Sequence, residues 1–346
     1  MQLIYASQHQ LHDPPTEYAQ GDMMPYPEMP ARADQIYHHL AGQAGVEVIE
    51  PHTPLSLESL MAVHDEGFVE FLREISTNLE QYWHSPLPDH GYLYPEVFPA
   101  RRHMNRLRDS MVGQLGYYTF DVFAPIGKGT WQAALYSATV AATGAAQVLE
   151  GQASAVYALC RPPGHHAGYD FVGGYCYLNN AALAVNRLRE LGRVAIIDID
   201  YHHGNGTQHI FWDDPDVFTG SLHADPTFEY PYYSGFADEI GGSEAIHATH
   251  NIPLPLGTDG STYRQAVHEM IEKAAAFEPS ALVIPVGLDT FEDDPNCHFG
   301  LQLDDYVYIG KAIAEMGLPT LFVQEGGYNV EANGLLAEKL LEGFLS

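Results

Sequence analysis

Residues 193–208 read RVAIIDIDYHHGNGTQ, and this stretch decides how the rest of the chain is understood. It opens with four apolar residues, Val194-Ala195-Ile196-Ile197, the pattern of a strand buried on both faces of a parallel sheet. It then changes to Asp198-Ile199-Asp200-Tyr201-His202. In extended backbone side chains alternate, so Asp198, Asp200 and His202 share one face and Ile199 and Tyr201 take the other. Two carboxylates and an imidazole at the end of a buried strand carry a desolvation cost that a cation would offset. Mixed Asp and His ligation suits zinc or a similar divalent ion. The Gly204-Asn205-Gly206 turn lets the backbone bend before a helix. Taken alone, the same residues also fit a polar loop that follows a strand.

Outward from this segment the pattern alternates. Strands are expected at 2–6, 155–159, 194–200, 217–222, 281–286 and 319–324. Helices are expected at 28–42, 57–63, 67–75, 130–151, 180–191, 263–277 and 304–316. Such alternation predicts an α/β fold, a mainly parallel sheet with helices on both faces. With no repeat and no linker, residues 1–346 read as a single domain. Two regions stand apart. Residues 14–30, rich in Pro, Gly, Met and Tyr, read as a long functional loop. Residues 80–128 scatter Trp83, Tyr92, Tyr94, Phe98, Tyr117, Tyr118, Phe120 and Phe123 among prolines with no sustained period. They read as an insertion that walls a pocket or joins two copies into a homodimer.

Composition excludes some partners. Lys and Arg total 15 against 45 Asp and Glu, a formal net charge of −30. That surface repels phosphate backbones, so no nucleic-acid partner is expected, and it favours the approach of cationic substrates. Solubility alone is an equally good account of the charge. Three cysteines, Cys160, Cys176 and Cys297, are too few for a disulfide framework and lack zinc-finger spacing. No apolar run suits a membrane span and no secretory pattern opens the sequence, so a cytoplasmic protein is expected.

In open α/β sheets ligands bind beyond the carboxyl ends of the strands. Those ends here carry Cys160-Arg161-Pro162-Pro163-Gly164-His165-His166, the Asp/His cluster, His223-Ala224-Asp225, Gly287-Leu288-Asp289 and Glu325-Gly326-Gly327-Tyr328. Asp200, His202 and Asp289 would be three metal ligands with a position left open. A cation there would acidify water and polarise a carbonyl. His165 and His166 supply acid–base groups that titrate near neutral pH. Tyr328 can reach an oxyanion. Singly these residues have ordinary structural explanations, and His64 is expected to be structural or pocket-lining. Together they describe metal-assisted amide hydrolysis.

The motifs RPPGHH (161–166), GGYCYLNN (173–180), DIDYHHGNGTQ (198–208), SLHADP (221–226), GLDTFEDDP (287–295) and EGGY (325–328) resemble the zinc-dependent histone deacetylase superfamily, most nearly its bacterial acetylpolyamine amidohydrolase branch. The resemblance runs through almost the whole chain. It implies the arginase–deacetylase fold with an eight-stranded parallel sheet, and zinc or ferrous iron on Asp200, His202 and Asp289. It implies His166 as general base and then acid, His165 as its electrostatic neighbour, Tyr328 on the scissile carbonyl, Asp198 on His165 and Asn205 on His166. Gly174, Tyr175 and Tyr230 would form the slot for a linear substrate, with Glu17 also binding it. A potassium ion would rest on Asp198, Ser221 and main-chain carbonyls of Asp200, His202 and Leu222.

The sequence also departs from that branch. The segment before GQLGYY reads Ser110-Met111-Val112-Gly113, without the carboxylate that could meet a distal ammonium. Tyr175 and Tyr230 are phenols where phenylalanine is more usual. The expected activity is removal of acetyl or short acyl groups from acetylpolyamines or related small amines. A protein acyl-lysine deacetylase is the alternative within the class. A non-catalytic ligand-binding relative and an arginase-like dimetal hydrolase are the alternatives outside it.

Overall fold

The computed structural model describes residues 1–346 apart from 20, 83–89, 100–105, 108 and 154. Its frame is a sheet of eight strands, β1 (Gln2–Ile4), β2 (Glu47–Ile49), β3 (Val156–Ala158), β4 (Val194–Asp198), β5 (Val217–Ala224), β6 (Thr249–Leu254), β7 (Ala281–Val286) and β8 (Thr320–Gln324). They lie in the order β6-β5-β4-β7-β8-β3-β1-β2, and every neighbouring pair is parallel. Parallel pairing requires crossovers, and helices cover both faces.

The apolar run that opened the sequence reading divides by face as alternation demands. Val194 and Ile196 join a core with helices Glu66–Thr77, Thr130–Leu149 and Asn180–Leu188. Ala195 and Ile197 join the opposite core, with helices Ala31–Ala41, Gly260–Ala276, Leu303–Ala314 and Val330–Leu345. Chain order also makes the site. From β3 the chain skips two positions to start β4, runs outward to β6, then returns to fill the gap with β7 and β8. The loops that leave β3, β4, β7 and β8 therefore meet over the centre of the sheet.

Several elements differ from expectation. β4 stops at Asp198 instead of 200, because the backbone turns there and Asp198 accepts the Asp200 amide at 3.0 Å. β2 and β6 are edge strands outside the expected set. β2 is only three residues, EVI, and β6 reads THNIPL, where polar residues and a proline interrupt the apolar pattern that marks the central strands. The helix Val330–Leu345 continues the chain beyond the last expected element. Residues 14–30 are not a plain loop: Thr16–Ala19 pairs with Asp22–Pro25 as an antiparallel hairpin.

Within 80–128, Tyr92–Leu93 pairs with Ile126–Gly127, and Met111–Tyr117 is a helix capped by Ser110. Tyr118 stacks on Phe71 at 5.0 Å, so the end of this region belongs to the core. Trp83 lies outside the described residues. Among the described residues no helix is long and apolar enough to cross a membrane.

Candidate active site

Asp198, Asp200 and Asp289 are almost completely buried, at 2 %, 1 % and 0 % exposure. Three carboxylates so placed cost several kcal/mol each unless cations or N–H groups meet them. Asp198 is met within the protein: its Oδ2 accepts the His165 Nδ1–H at 2.9 Å. Asp200 accepts the amides of His202 (2.9 Å) and Gly326 (2.8 Å). Asp289 Oδ1 accepts the Tyr201 amide at 3.2 Å, while its Oδ2 is buried with no hydrogen-bond partner. That orphaned oxygen lies 3.3 Å from His202 Nδ1, which is 3.5 Å from Asp200 Oδ1. All three ligand atoms fall within 4.8 Å of one another. The main chain is cut to fit them, since a Cβ on Gly326 would lie 2.3 Å from Asp289 Oδ2 and 2.6 Å from Asp200 Oδ2. A donor set of two carboxylates and one imidazole around an unpaired oxygen fits a divalent metal.

The two carboxylates also act on His202. Burial alone would lower its pKa, yet the Asp200 and Asp289 carboxylates, 3.5 and 3.3 Å from its Nδ1, raise it to about 10. A bound cation would displace that proton. Burial likewise opposes protonation of His165, but the charges of Asp200 and Asp198 raise it to about 10. His166 differs. Its ring lies 4.0 Å from that of His165, and its Nδ1 bonds to Asn205 Oδ1 at 2.7 Å. The amide oxygen accepts, so Nδ1 carries the proton and Nε2 keeps its lone pair. Burial, His165 and His202 together push its pKa well below the ordinary value. His166 is therefore the neutral imidazole of the pair.

Tyr328 is held from two sides. Its amide donates to Asp294 Oδ2 at 2.6 Å, and the Arg32 guanidinium lies 4.7 Å over its ring. Arg32 in turn donates to the carbonyls of Gly327 (2.5 Å) and Glu325 (2.6 Å) and to Glu28. Burial drives the phenol pKa well above its usual value, which keeps the hydroxyl proton available for donation.

His166, His202 and Tyr328 open onto a cavity of about 580 Å³ that Gly174, Tyr175 and Tyr230 also line. Gly174 has φ of +51°, and a Cβ there would sit 2.3 Å from His166 Cδ2, so only glycine brings the wall this close to the imidazole. Both phenols donate to carboxyls: Tyr175 to the buried Glu17 at 2.8 Å and Tyr230 to the half-buried Asp121 at 2.5 Å. Burial pushes Glu17 up to about 7 and Asp121 up to about 6. Glu17, Gly174, Tyr175 and Tyr230 are thus brought together at one cavity.

The sequence reading had not singled out Asp121, which also accepts the Gly174 amide at 2.8 Å, or Glu229, which lines the cavity. Both are ordinary acids in irregular segments of an acidic chain, where nothing in the pattern marks them. No Lys or Arg lines the cavity among the described residues. Asp198 and Ser221 are register partners on β4 and β5, with Leu222 the next residue. They border a small polar cavity with His203 and Thr207, and Ser221 Oγ meets His223 Nδ1 at 2.8 Å. His64 is buried away from the ligands. It bonds to the Gly168 carbonyl at 2.9 Å and accepts the Asn179 amide at 3.0 Å.

Fold and site together define a hydrolase built on a parallel α/β sheet, and the comparisons with known proteins give the family. A histone deacetylase domain matches residues 26–344, so the chain belongs to the histone deacetylase family and is a hydrolytic deacetylase. It is 45% identical to acetylpolyamine amidohydrolase 2 of Pseudomonas aeruginosa over 346 residues, covering 99% of this chain and 98% of that one. It is 39% identical to the acetylpolyamine amidohydrolase of Mycoplana ramosa, covering 99% of each. The crystal structure of acetylpolyamine aminohydrolase from Burkholderia pseudomallei superimposes with a TM-score of 0.93 at 37% identity, covering 99% of this chain and 98% of that one.

Proposed function

We propose that the chain is a single zinc-dependent catalytic domain that hydrolyses acetylpolyamines or related small cationic N-acyl amines. One observation carries this reading. The cavity that ends on His166, His202 and Tyr328 is lined by Glu17 and Glu229 and, among the described residues, by no Lys or Arg. Such a cavity favours a substrate with an amide at one end and an ammonium at the other. Full-length similarity to three proteins named as acetylpolyamine amidohydrolases supports the same class.

Zinc, or ferrous iron, held by Asp200, His202 and Asp289 would polarise the acyl carbonyl and acidify the attacking water. His166 takes the proton of that water at Nε2, the atom left free by its bond to Asn205. It then delivers the proton to the departing nitrogen, so the C–N bond breaks to give a carboxylate and an amine. His165, paired with Asp198, keeps a positive charge beside His166 and holds the latter's basicity down. Tyr328 donates its hydroxyl to the carbonyl oxygen as negative charge builds there. Asp198, Ser221 and the carbonyls of Asp200, His202 and Leu222 are proposed to hold a structural potassium ion.

Val97, Phe98 and Leu107 expose apolar surface in the 80–128 region, which supports a homodimer through it, testable by analytical ultracentrifugation. The hydrolytic reading is tested by stripping the metal and restoring it while following acetate and putrescine release from acetylputrescine. Release that stops on stripping and returns with zinc supports the proposal; release indifferent to metal contradicts it.

A further inference from the structure

We propose that Glu325 is a positioning residue for the acid–base pair, its buried carboxyl setting the peptide that precedes His165. This inference deepens the proposed reaction and rests on it. Glu325 is the first residue beyond β8 and has no exposed surface. Its Oε2 accepts two consecutive amides of the histidine loop, Gly164 N–H at 2.6 Å and His165 N–H at 3.0 Å. The same loop leaves no slack at Gly164, where a Cβ would lie 2.5 Å from the Asn180 amide nitrogen.

His165 is consequently held at three points. Glu325 takes its amide, the Thr207 amide donates to its carbonyl at 3.1 Å, and Asp198 takes its ring. The Thr207 contact comes from the helix Asn205–Phe211, whose first residue bonds to His166. Glu325 is itself fixed: its amide donates to the Val286 carbonyl at 2.8 Å and its carbonyl accepts Arg32 Nη2–H. Its neighbour Gly326 donates to Asp200 at 2.8 Å, and Tyr328 follows two residues later. Through this one residue the end of β8 registers the histidine loop against a metal ligand and the phenol.

What the loop needs from Glu325 is an acceptor at the right reach. One oxygen takes both amides, while Oε1 is buried with no partner and plays no part in holding the loop. Burial pushes the carboxyl up to about 8. A glutamine carbonyl oxygen can accept the same two N–H groups, whereas methionine fills the space and accepts neither.

The test uses the full-length, metal-loaded protein with acetylputrescine. Glu325→Met is expected to lower kcat by about a hundredfold, the scale for displaced catalytic groups, with KM within about threefold. Metal content is expected to stay unchanged, and Glu325→Gln to recover kcat to within about fivefold of wild type. Glu325→Asp, shorter by one methylene, should behave like Met and serves if the Met variant fails to fold. Wild-type kcat in the Met or Asp variant would overturn the proposal, and so would a Gln variant as impaired as Met. Long-range ¹H–¹⁵N spectra give a readout that needs no turnover. The ring signals of His165 and His166 are expected to shift in Glu325→Met and return in Glu325→Gln, and unmoved signals would overturn the assignment. An inactive wild type would count against the reaction alone, since the ring signals would still decide Glu325.

Discussion

The reacting end of the cavity and its substrate-binding walls are built on different principles. The reacting end stands on β3, β4, β7 and β8, central strands whose tips carry His165, His166, Asp198, Asp200, Asp289 and Tyr328. The walls come from the hairpin Thr16–Ala19 with Asp22–Pro25, the end of the 80–128 region, and the segments around Gly174 and Tyr230. At the reacting end Asp198, Asp200 and His166 are held by fixed protein groups, while Asp289 Oδ2 is left buried and unpartnered where a metal would sit. At the walls, phenols answer carboxyls whose pKa values burial has brought near neutrality. On the proposed function, rigid strand ends would set the reaction and short paired segments would set what enters.

The contrast can be broken most severely at the metal-ligand set. Asp289→Ala removes the unpaired oxygen and is expected to abolish bound metal and turnover together, read by elemental analysis and acetate release. Turnover that survives metal loss would remove the reacting end from the account. His166→Ala is expected to retain metal but lose about 10²–10⁴-fold in kcat, the range for a general acid–base group. Tyr328→Phe removes one donor to the carbonyl oxygen and should cost about 10²–10³-fold in kcat with metal retained.

The walls should respond through binding instead. Glu17 must be ionised to attract an ammonium, and its carboxyl titrates at about 7. The KM of a cationic substrate should therefore fall as pH rises through that value and climb as pH drops below it. Glu17→Gln is expected to raise KM about tenfold at pH 8, leave kcat near wild type and flatten the KM–pH profile. A kcat loss in this variant without a KM change would erase the division between walls and reacting end.

That division also explains what the sequence disclosed. The residues of the reacting end sit at the last residue of a strand or up to eight positions beyond it, so the apolar run Val194 to Ile197 locates Asp198, Asp200 and His202 in the same reading. The eight-stranded parallel sheet and its helices on both faces follow from that alternation and from the family motifs. The walls give no comparable signal. Asp121 and Glu229 become functional candidates only because folding sets one against Tyr230, 109 positions away, and the other in the cavity lining beside Glu17 and Tyr328. The hairpin at 16–25 was concealed by Pro and Gly that suggest a loop, and β6 by the polar residues and proline of THNIPL. Arg32 shares a helix face with Ile36 and Leu40, but the sequence does not name what it meets there. Its partners, the carbonyls of Glu325 and Gly327, lie nearly 300 residues away.

The most direct test of the account is a side-by-side measurement of kcat/KM on acetylputrescine, acetylcadaverine, acetylspermidine and an acetyl-lysine peptide with the zinc-loaded enzyme. The acid-lined cavity predicts that the free acetylated amines exceed the peptide by at least about tenfold. Equal or better turnover of the peptide would contradict that claim and make the protein a lysine deacetylase with an acidic mouth.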